Sequence, residues 1–539
     1  MANVHLFWMT EEREEACCRT LLEDVVQNLG LSTLCEHIAK NQTEQKILME
    51  HLTDFCSDEA TIQYRQDVFR DIAADPHATA VFQEILAQLQ FLQIQNHSNA
   101  SEEARLWFLF SRFRELEAYA ACIRRIHELF QEVALSSTAF LALRGQIAEL
   151  IQSDVFRALE AFVKGFRLDV DQVKSITVGI NLDASLNPES VALVSVNSQK
   201  YKSQTFISSV SNVFEKKEFQ DLLLPAKLHQ MSQDRQDHLL YVVYQDVERY
   251  VKPLARTLSD SLNRFTSICT NTLTYLIPEL LFYVRFAEFY HEIRALSMPV
   301  CFPSIREKAL RETDIEGVYH LNLMLHMLER GQAPQQEMVP NDFCLDEQGR
   351  ILLITGPNRG GKTIYTLAVG VSYLLFQAGL FVPATTAAMS PVDCLYTHFP
   401  ADENMTVGEG RLGEESKRLH QIFLDATRHS LILMNESLTS TNHTEAVYIA
   451  KGVVKAFRRL GTAVIFNTHM YELAQDADHM NTETPGTSRI ITLNAELHQG
   501  ERSYRIRLGV ARRNSYADDV ARKYGVDYET LMRVVDGKK

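Results

Sequence analysis

The sequence predicts an α+β multidomain chain: a long helical region with a small β-containing insertion, followed by a C-terminal α/β nucleotide-binding domain. Three observations predict it. Apolar residues recur at helical spacing through the first two-thirds of the chain. Two short β-branched runs interrupt that pattern near residues 175–196. From about Gly331 short apolar strands alternate with helices, as in a parallel sheet, and one strand feeds a glycine-rich phosphate loop.

The helical region is read from two stripes. Leu109, Phe113, Leu116, Ile123, Ile126 and Phe130 fall at spacings of three, four and seven, and so do Leu240, Val243, Val247, Val251, Leu254, Leu258, Leu262 and Phe265. Each describes one apolar face of a long helix, with Pro253 marking a bend in the second. Between them, Ser175 to Ile180 and Val191 to Val196 read as strands, with Asn187-Pro188-Glu189 as the turn. The expected boundaries are 1–171 for the helical N-terminal region, 172–225 for the β insertion, 226–330 for returning helices, and 331–539 for the nucleotide-binding domain. Gly331 to Pro334 reads as the linker into the last.

The net charge of −15, from 54 Lys and Arg against 69 Asp and Glu, argues against a surface that binds nucleic acid everywhere. Any DNA contact is confined to local basic groups or gated by ATP or an assembly step; Lys200, Lys202, Lys216 and Lys217 flank the insertion, where a solvated face explains them at least equally well. Nine scattered cysteines without a Cys-x-x-Cys pair give no zinc spacing and fit reduced, mostly buried thiols. No apolar run reaches the roughly 20 residues of a membrane span. The closest, Leu276 to Phe289, is interrupted by Pro278, Glu279, Arg285 and Glu288. No membrane partner is expected, and cytoplasmic localisation follows from the missing signals.

Ile351 to Ile354 is a buried-strand run that leads into Gly356-Pro357-Asn358-Arg359-Gly360-Gly361-Lys362-Thr363 and then an apolar helix. Glycines let backbone N–H groups close on phosphate oxygens, and the helix N-terminus adds partial positive charge. Lys362 can reach the β- and γ-phosphates of ATP, and the Thr363 hydroxyl can ligate Mg²⁺. A second strand, Leu431 to Met434, ends at Asn435-Glu436. Most P-loop enzymes carry two acids there; Asn435 can accept from metal-bound water but brings no charge, and Glu436 is the candidate general base. A third strand, Ala463 to Phe466, ends at Asn467-Thr468-His469, where His469 can sense the γ-phosphate.

Taken together these residues resemble the MutS family. Thr355 to Thr363 matches its Thr-Gly-Pro-Asn-x-Gly-Gly-Lys-Ser/Thr loop, and Val339 to Asp342 resembles the segment before that strand. Gln377 to Ala384 resembles the Gln-x-Gly-x-Phe-Val-Pro-Ala element, and Thr468 to Leu473 resembles the Thr-His-x-x-Glu-Leu switch. Ser440-Thr441 and Ser515-Tyr516-Ala517 resemble further family elements, and Asp58 to Asp71 resembles the start of the helical core. The resemblance implies an ABC-type ATPase domain on a helical core and lever, with the insertion as a small clamp. It also implies a nucleotide set of Asn341, Gly356 to Ile364 and Gln377, with Gln377 linking the Mg²⁺ site to neighbouring elements. The family's Ser-Thr-Phe-x-x-Glu signature completes a partner subunit's ATP site. Here Glu415 matches it and Gly410 replaces the serine.

The chain departs from the family in three ways. It begins near the core, leaving no room for a mismatch-reading domain; Phe286-Ala287-Glu288 has the wedge pattern but lies in a helical stretch. Asn435 replaces an acid, and Arg359 stands where the mismatch-repair proteins are usually apolar. These features resemble the short MutS-related proteins. The reading favoured is an ATP-hydrolysing, dimeric DNA-binding switch in repair or recombination. The alternative is a nucleotide-gated protein-binding module with slow or absent hydrolysis. A small-molecule kinase lacks any sign of an acceptor pocket or lid.

Overall fold

The computed structural model describes residues 4–9, 18–96, 105–171, 175–182, 188–197, 199, 273–400, 411–498, 501–509, 522 and 524–536. The stripe from Leu240 to Phe265, the four insertion lysines, Gly410 and Ser515 to Ala517 lie outside them. The chain divides into two units, residues 1–86, 132–143 and 276–539 in one and residues 87–131 and 144–275 in the other.

The chain begins with a two-stranded pairing of β1 (Cys18–Thr20) and β2 (Asp54–Cys56) around helices α1 (Glu23–Asn28), α2 (Leu31–Ile38) and α3 (Gln42–Thr53). Helix α4 (Glu59–Ile72) follows, its first turn capped by Asp58, whose carboxylate accepts from Thr61 N at 2.9 Å. Then come α5 (Pro76–Asn96), α6 (Arg105–Glu132), α7 (Thr138–Gln152) and α8 (Asp154–Asp171). The first predicted stripe falls on α6, with Phe113, Leu116, Ile123, Ile126 and Phe130 all buried. In the second unit β3 (Ser175–Leu182) and β4 (Pro188–Asn197) form an antiparallel hairpin with two register shifts. The expected turn is corrected in part: Pro188 and Glu189 belong to β4. Proline is tolerated there because the first residue of an edge strand need not donate to the ladder.

In the first unit, α9 (Ile277–Ala295) is buried along nearly its whole length. Its interrupting polar residues are paired rather than solvated. Arg285 makes a two-pronged bond to Glu44, at 2.7 and 2.9 Å, and a third to Glu288 at 2.8 Å. Glu279 accepts from Leu6 N. Phe286 and Ala287 are wholly buried, so Phe286-Ala287-Glu288 is core packing and an ion pair. Among the described residues no helix is long and apolar enough to cross a membrane.

The strands β5 (Ser304–Ile305), β6 (Thr313–Val318), β7 (Asn341–Leu345) and β9 (Thr386–Met389) make a four-stranded sheet in the order β5-β9-β6-β7. Residues 304–318 therefore pair with strands beyond 331, and the expected run of returning helices to residue 330 is displaced. Only α10 (Leu321–Glu329) and the short α11 (Pro334–Glu337) fill the interval before β7. The second sheet has the order β10-β11-β12-β8-β13-β14, from β8 (Ile351–Thr355), β10 (Leu395–His398), β11 (Leu431–Asn435), β12 (Ala463–Asn467), β13 (Ile490–His498) and β14 (Glu501–Leu508). All its pairings are parallel except β13 with β14. The unbroken apolar runs of β8, β11 and β12 follow from this, because helices such as α12 (Lys362–Gln377), α13 (Arg411–Asp425) and α14 (His443–Leu460) cover strands buried on both faces. The short α15 (Tyr471–Gln475) and α16 (Ala477–Glu483) follow β12, and α17 (Tyr528–Asp536) ends the described chain.

Candidate functional site

Parallel pairing brings three strand ends level. Asn435 pairs with Asn467, and Asn467 with Ile354, so the chain leaves β8, β11 and β12 at the same edge. The loop after β8 closes on Gly361, which caps α12 at φ +95 with no side-chain cap. A left-handed residue at this point costs a glycine nothing, and the first N–H groups of α12 stay available to an anion.

Lys362 is buried and its Nζ donates to the carbonyls of Gly356 and Pro357, both at 3.0 Å. Burial lowers its pKa, and the charge of Glu436 acts against that shift. An ammonium held by neutral carbonyls is suited to an anionic group. The Thr363 hydroxyl donates to Asn435 Oδ1 at 2.9 Å, and Asn467 Nδ2 donates to the same oxygen at 3.1 Å. Thr366 Oγ1 in turn donates to Asn467 Oδ1 at 3.1 Å, so α12 is tied to both strand ends. Glu436 stands at φ +49 and Leu438 at φ +65, a sharp, strained turn at the end of β11. There His469 Nε2 meets Glu436 Oε1 at 2.8 Å. The two side chains are a third or more exposed, so solvent reaches both.

A cavity of about 600 Å³ opens over this cluster, a size suited to a nucleotide. Arg359, Gly360, Gly361, Lys362, Thr363, Ile364, Glu436 and Asn341 line it. Asn435 and His469 stand behind that wall through their bonds to Thr363 and Glu436. Gly356, Pro357 and the exposed Asn358 form the loop without lining the cavity. Asn341 has its amide spent on β14, accepting from Ile506 N at 2.7 Å and donating to Tyr504 O at 3.0 Å.

The expectation for Gln377 is corrected. It ends α12, fifteen residues and therefore about 22 Å of helix from Lys362. Its buried amide bonds Cys56 O at 2.6 Å, Val392 O at 2.9 Å and Val392 N at 3.0 Å. It fastens α12 to β2. Beside it Arg65, wholly buried over the rings of Phe7 and Trp8, donates to Gln377 O at 3.1 Å and Phe7 O at 3.1 Å. Glu415 is also an internal brace: it is buried and accepts from Leu438 N at 2.9 Å.

Sequence reasoning missed further residues that line the cavity, Tyr319, His320, Met327 and Met338, with Arg502 and Tyr504 from β14. No spacing signals these residues, because they come from separate places in the chain: just past the end of β6, α10, the residue after α11, and β14.

Two family models match the chain, the MutS2 N-terminal domain over residues 57–296 and MutS domain V over residues 352–535. A DNA mismatch repair protein MutS of Chlorobium phaeovibrioides is 36% identical over 211 residues, 38% of this chain and 23% of that protein. An Endonuclease MutS2 of Thermus thermophilus is 31% identical over 197 residues, 36% of this chain and 26% of the relative. A DNA mismatch repair protein MutS 2 of Halobacterium salinarum is 36% identical over 159 residues, 28% and 18%. The chain thus aligns with about a quarter or less of the length of these relatives. Two domains of one family, matched in order along the helical and α/β parts of the sequence, make the chain a member of the MutS family.

Proposed function

We propose that this protein binds ATP with Mg²⁺, hydrolyses it, and uses the nucleotide state to control its hold on DNA as a homodimer joined through its ATPase domains in the cytoplasm. The observation that carries the catalytic part is the Glu436–His469 contact at 2.8 Å, one residue along from the Thr363–Asn435 contact at 2.9 Å. A base, its orienting partner and a metal-ligating hydroxyl converge beside a buried lysine, the arrangement that in-line water attack on a terminal phosphate needs.

In this reading the N–H groups at Gly360 to Thr363 and the Lys362 ammonium hold the β- and γ-phosphates. Thr363 holds Mg²⁺, which supplies charge neutralisation, and Asn435 braces Thr363 without adding charge. Glu436 orients and deprotonates the attacking water. His469 fixes the Glu436 carboxylate and is placed to respond to the γ-phosphate. DNA binding, dimerisation and a role in repair or recombination rest on family membership and on the relatives' names.

The test separates binding from turnover. Lys362→Ala is expected to lose ATP binding. Glu436→Gln is expected to bind ATP as the natural protein does while turnover falls by about 10²–10³-fold, within the range of general-base loss. Unchanged turnover in Glu436→Gln removes that residue as the base.

A further inference from the structure

At the far edge of the same sheet, five strand residues and therefore about 16 Å from the phosphate loop, lies a second, much smaller cavity of about 20 Å³. Arg311, Arg350, Arg428 and His429 line it. Arg350 immediately precedes β8 and is only 5% exposed. Arg311 is half-buried and Arg428 exposed, so the three guanidinium groups run from floor to rim.

These cations are held by neutral groups. Arg311 Nη1 donates to Gly461 O at 2.6 Å and Arg428 O at 3.3 Å. Arg350 donates to Leu310 O at 3.2 Å and Thr487 O at 3.4 Å. Arg311 Nε, Arg350 Nε and His429 Nδ1 are buried without a hydrogen-bond partner. Among the described residues none of the three arginines is in an ion pair. Asp393, the carboxylate that acts on His429, accepts from the hydroxyls of Thr427 and Ser430. Charge balance is poor here: Arg350 and Arg428 both act on Arg311, while Lys308 and Arg311 add to the field at His429, against Glu347 and Asp393. Burial and the neighbouring arginines push the Arg311 pKa down to about 10.

We propose that this cavity is an oxyanion site that takes a phosphate group, with one oxygen on the Arg311 and Arg350 Nε–H groups at the floor and the others at the rim beside Arg428. A volume of about 20 Å³ admits one oxygen-sized atom. A water molecule fits the floor but brings no charge. A phosphate brings the charge and further oxygens for Arg428, in the geometry guanidinium groups favour. The site is separate from the nucleotide cavity and shares no residue with it.

The test is a calorimetric titration of the full chain with inorganic phosphate at fixed ionic strength, in a Lys362→Ala background that silences the phosphate loop. One saturable site is expected. Adding Arg311→Gln or Arg428→Gln is expected to weaken it at least tenfold. Arg428 is exposed, so its variant should keep the parent's melting midpoint in the absence of phosphate even if the Arg311 variant does not fold. No saturable binding in the Lys362→Ala protein, or equal affinity in the folded Arg428→Gln variant, overturns the proposal. A second arm measures affinity for a short DNA duplex in the same proteins. A matching loss identifies a backbone phosphate as the occupant, and an unchanged affinity identifies free phosphate.

Discussion

Asn435→Asp restores the acid that most P-loop enzymes carry at this strand end, and the structure sets its expected effect. Asn435 Oδ1 accepts from Thr363 Oγ1 at 2.9 Å and from Asn467 Nδ2 at 3.1 Å. A carboxylate oxygen can accept both, so the exchange keeps the local bonds and changes only the charge. If Thr363 Oγ1 holds Mg²⁺ at about 2.1 Å, its 2.9 Å separation from Asn435 Oδ1 puts the ion within about 5 Å of the new charge. At an effective dielectric near 20, a divalent and a single opposite charge at about 5 Å attract by about 7 kcal/mol. Desolvation of the carboxylate and repulsion from Glu436 offset much of this. An outer-shell change of this kind typically shifts metal affinity by about 10–100-fold, or about 1.4–2.7 kcal/mol. The assay is ATP turnover titrated with Mg²⁺: the half-saturating concentration should fall by that factor in the variant. An unchanged or raised midpoint would refute the placement of Asn435 beside the metal.

Further outcomes follow from packing and protonation. Gly379 sits at φ +76, and an added Cβ would overlap Arg65 Cβ and come within 2.7 Å of Gln66 N. Gly379→Ala should therefore cost about 3 kcal/mol or more, from left-handed strain plus overpacking; a loss under about 1 kcal/mol in urea unfolding would show that the contact between α4 and α12 gives way easily. His398 is buried between Ser437 Oγ at 2.7 Å and Glu415 O at 3.1 Å. Its pKa is pushed down from 6.5 to about 4, by burial first and the Arg418 charge second. The unfolded chain takes up this proton below pH 6.5 and the folded chain only near pH 4. Its contribution is full above pH 6.5 and disappears as pH falls to 4, an upper bound of about 3 kcal/mol. His398→Gln should flatten the fall in unfolding free energy between pH 7 and 4.5, and an identical slope in both proteins would contradict the assignment.

The glycine-rich loop is legible as a strand–loop–helix unit because its residues are consecutive, with β8, the glycines, Lys362 and Thr363 leading directly into α12. Glu436 and His469 were legible as strand ends, since parallel pairing brings such ends to one edge. What escaped depends on contacts distant in sequence. Thr313 to Val318 alternates buried and exposed residues, but it is short and holds only two large apolar side chains, Ile315 and Val318; its pairing with β7 and β9 completes the strand. Gln377 resembles the family's glutamine, yet its contacts follow from the length of α12, which separates it from the cavity beside Lys362. No sequence pattern marks Arg65 as buried; the rings of Phe7 and Trp8 cover it in the fold. The cluster at Arg311, Arg350 and Arg428 joins three loops and has no sequence pattern.

The measurement closest to the central claim is steady-state ATP turnover of the purified protein with Mg²⁺, with and without duplex and branched DNA, across a salt series. A nucleotide-controlled DNA switch predicts turnover that DNA changes and that loses this response as salt weakens phosphate contacts. Turnover indifferent to DNA at every salt concentration, or tight ATP binding with no turnover, would contradict it.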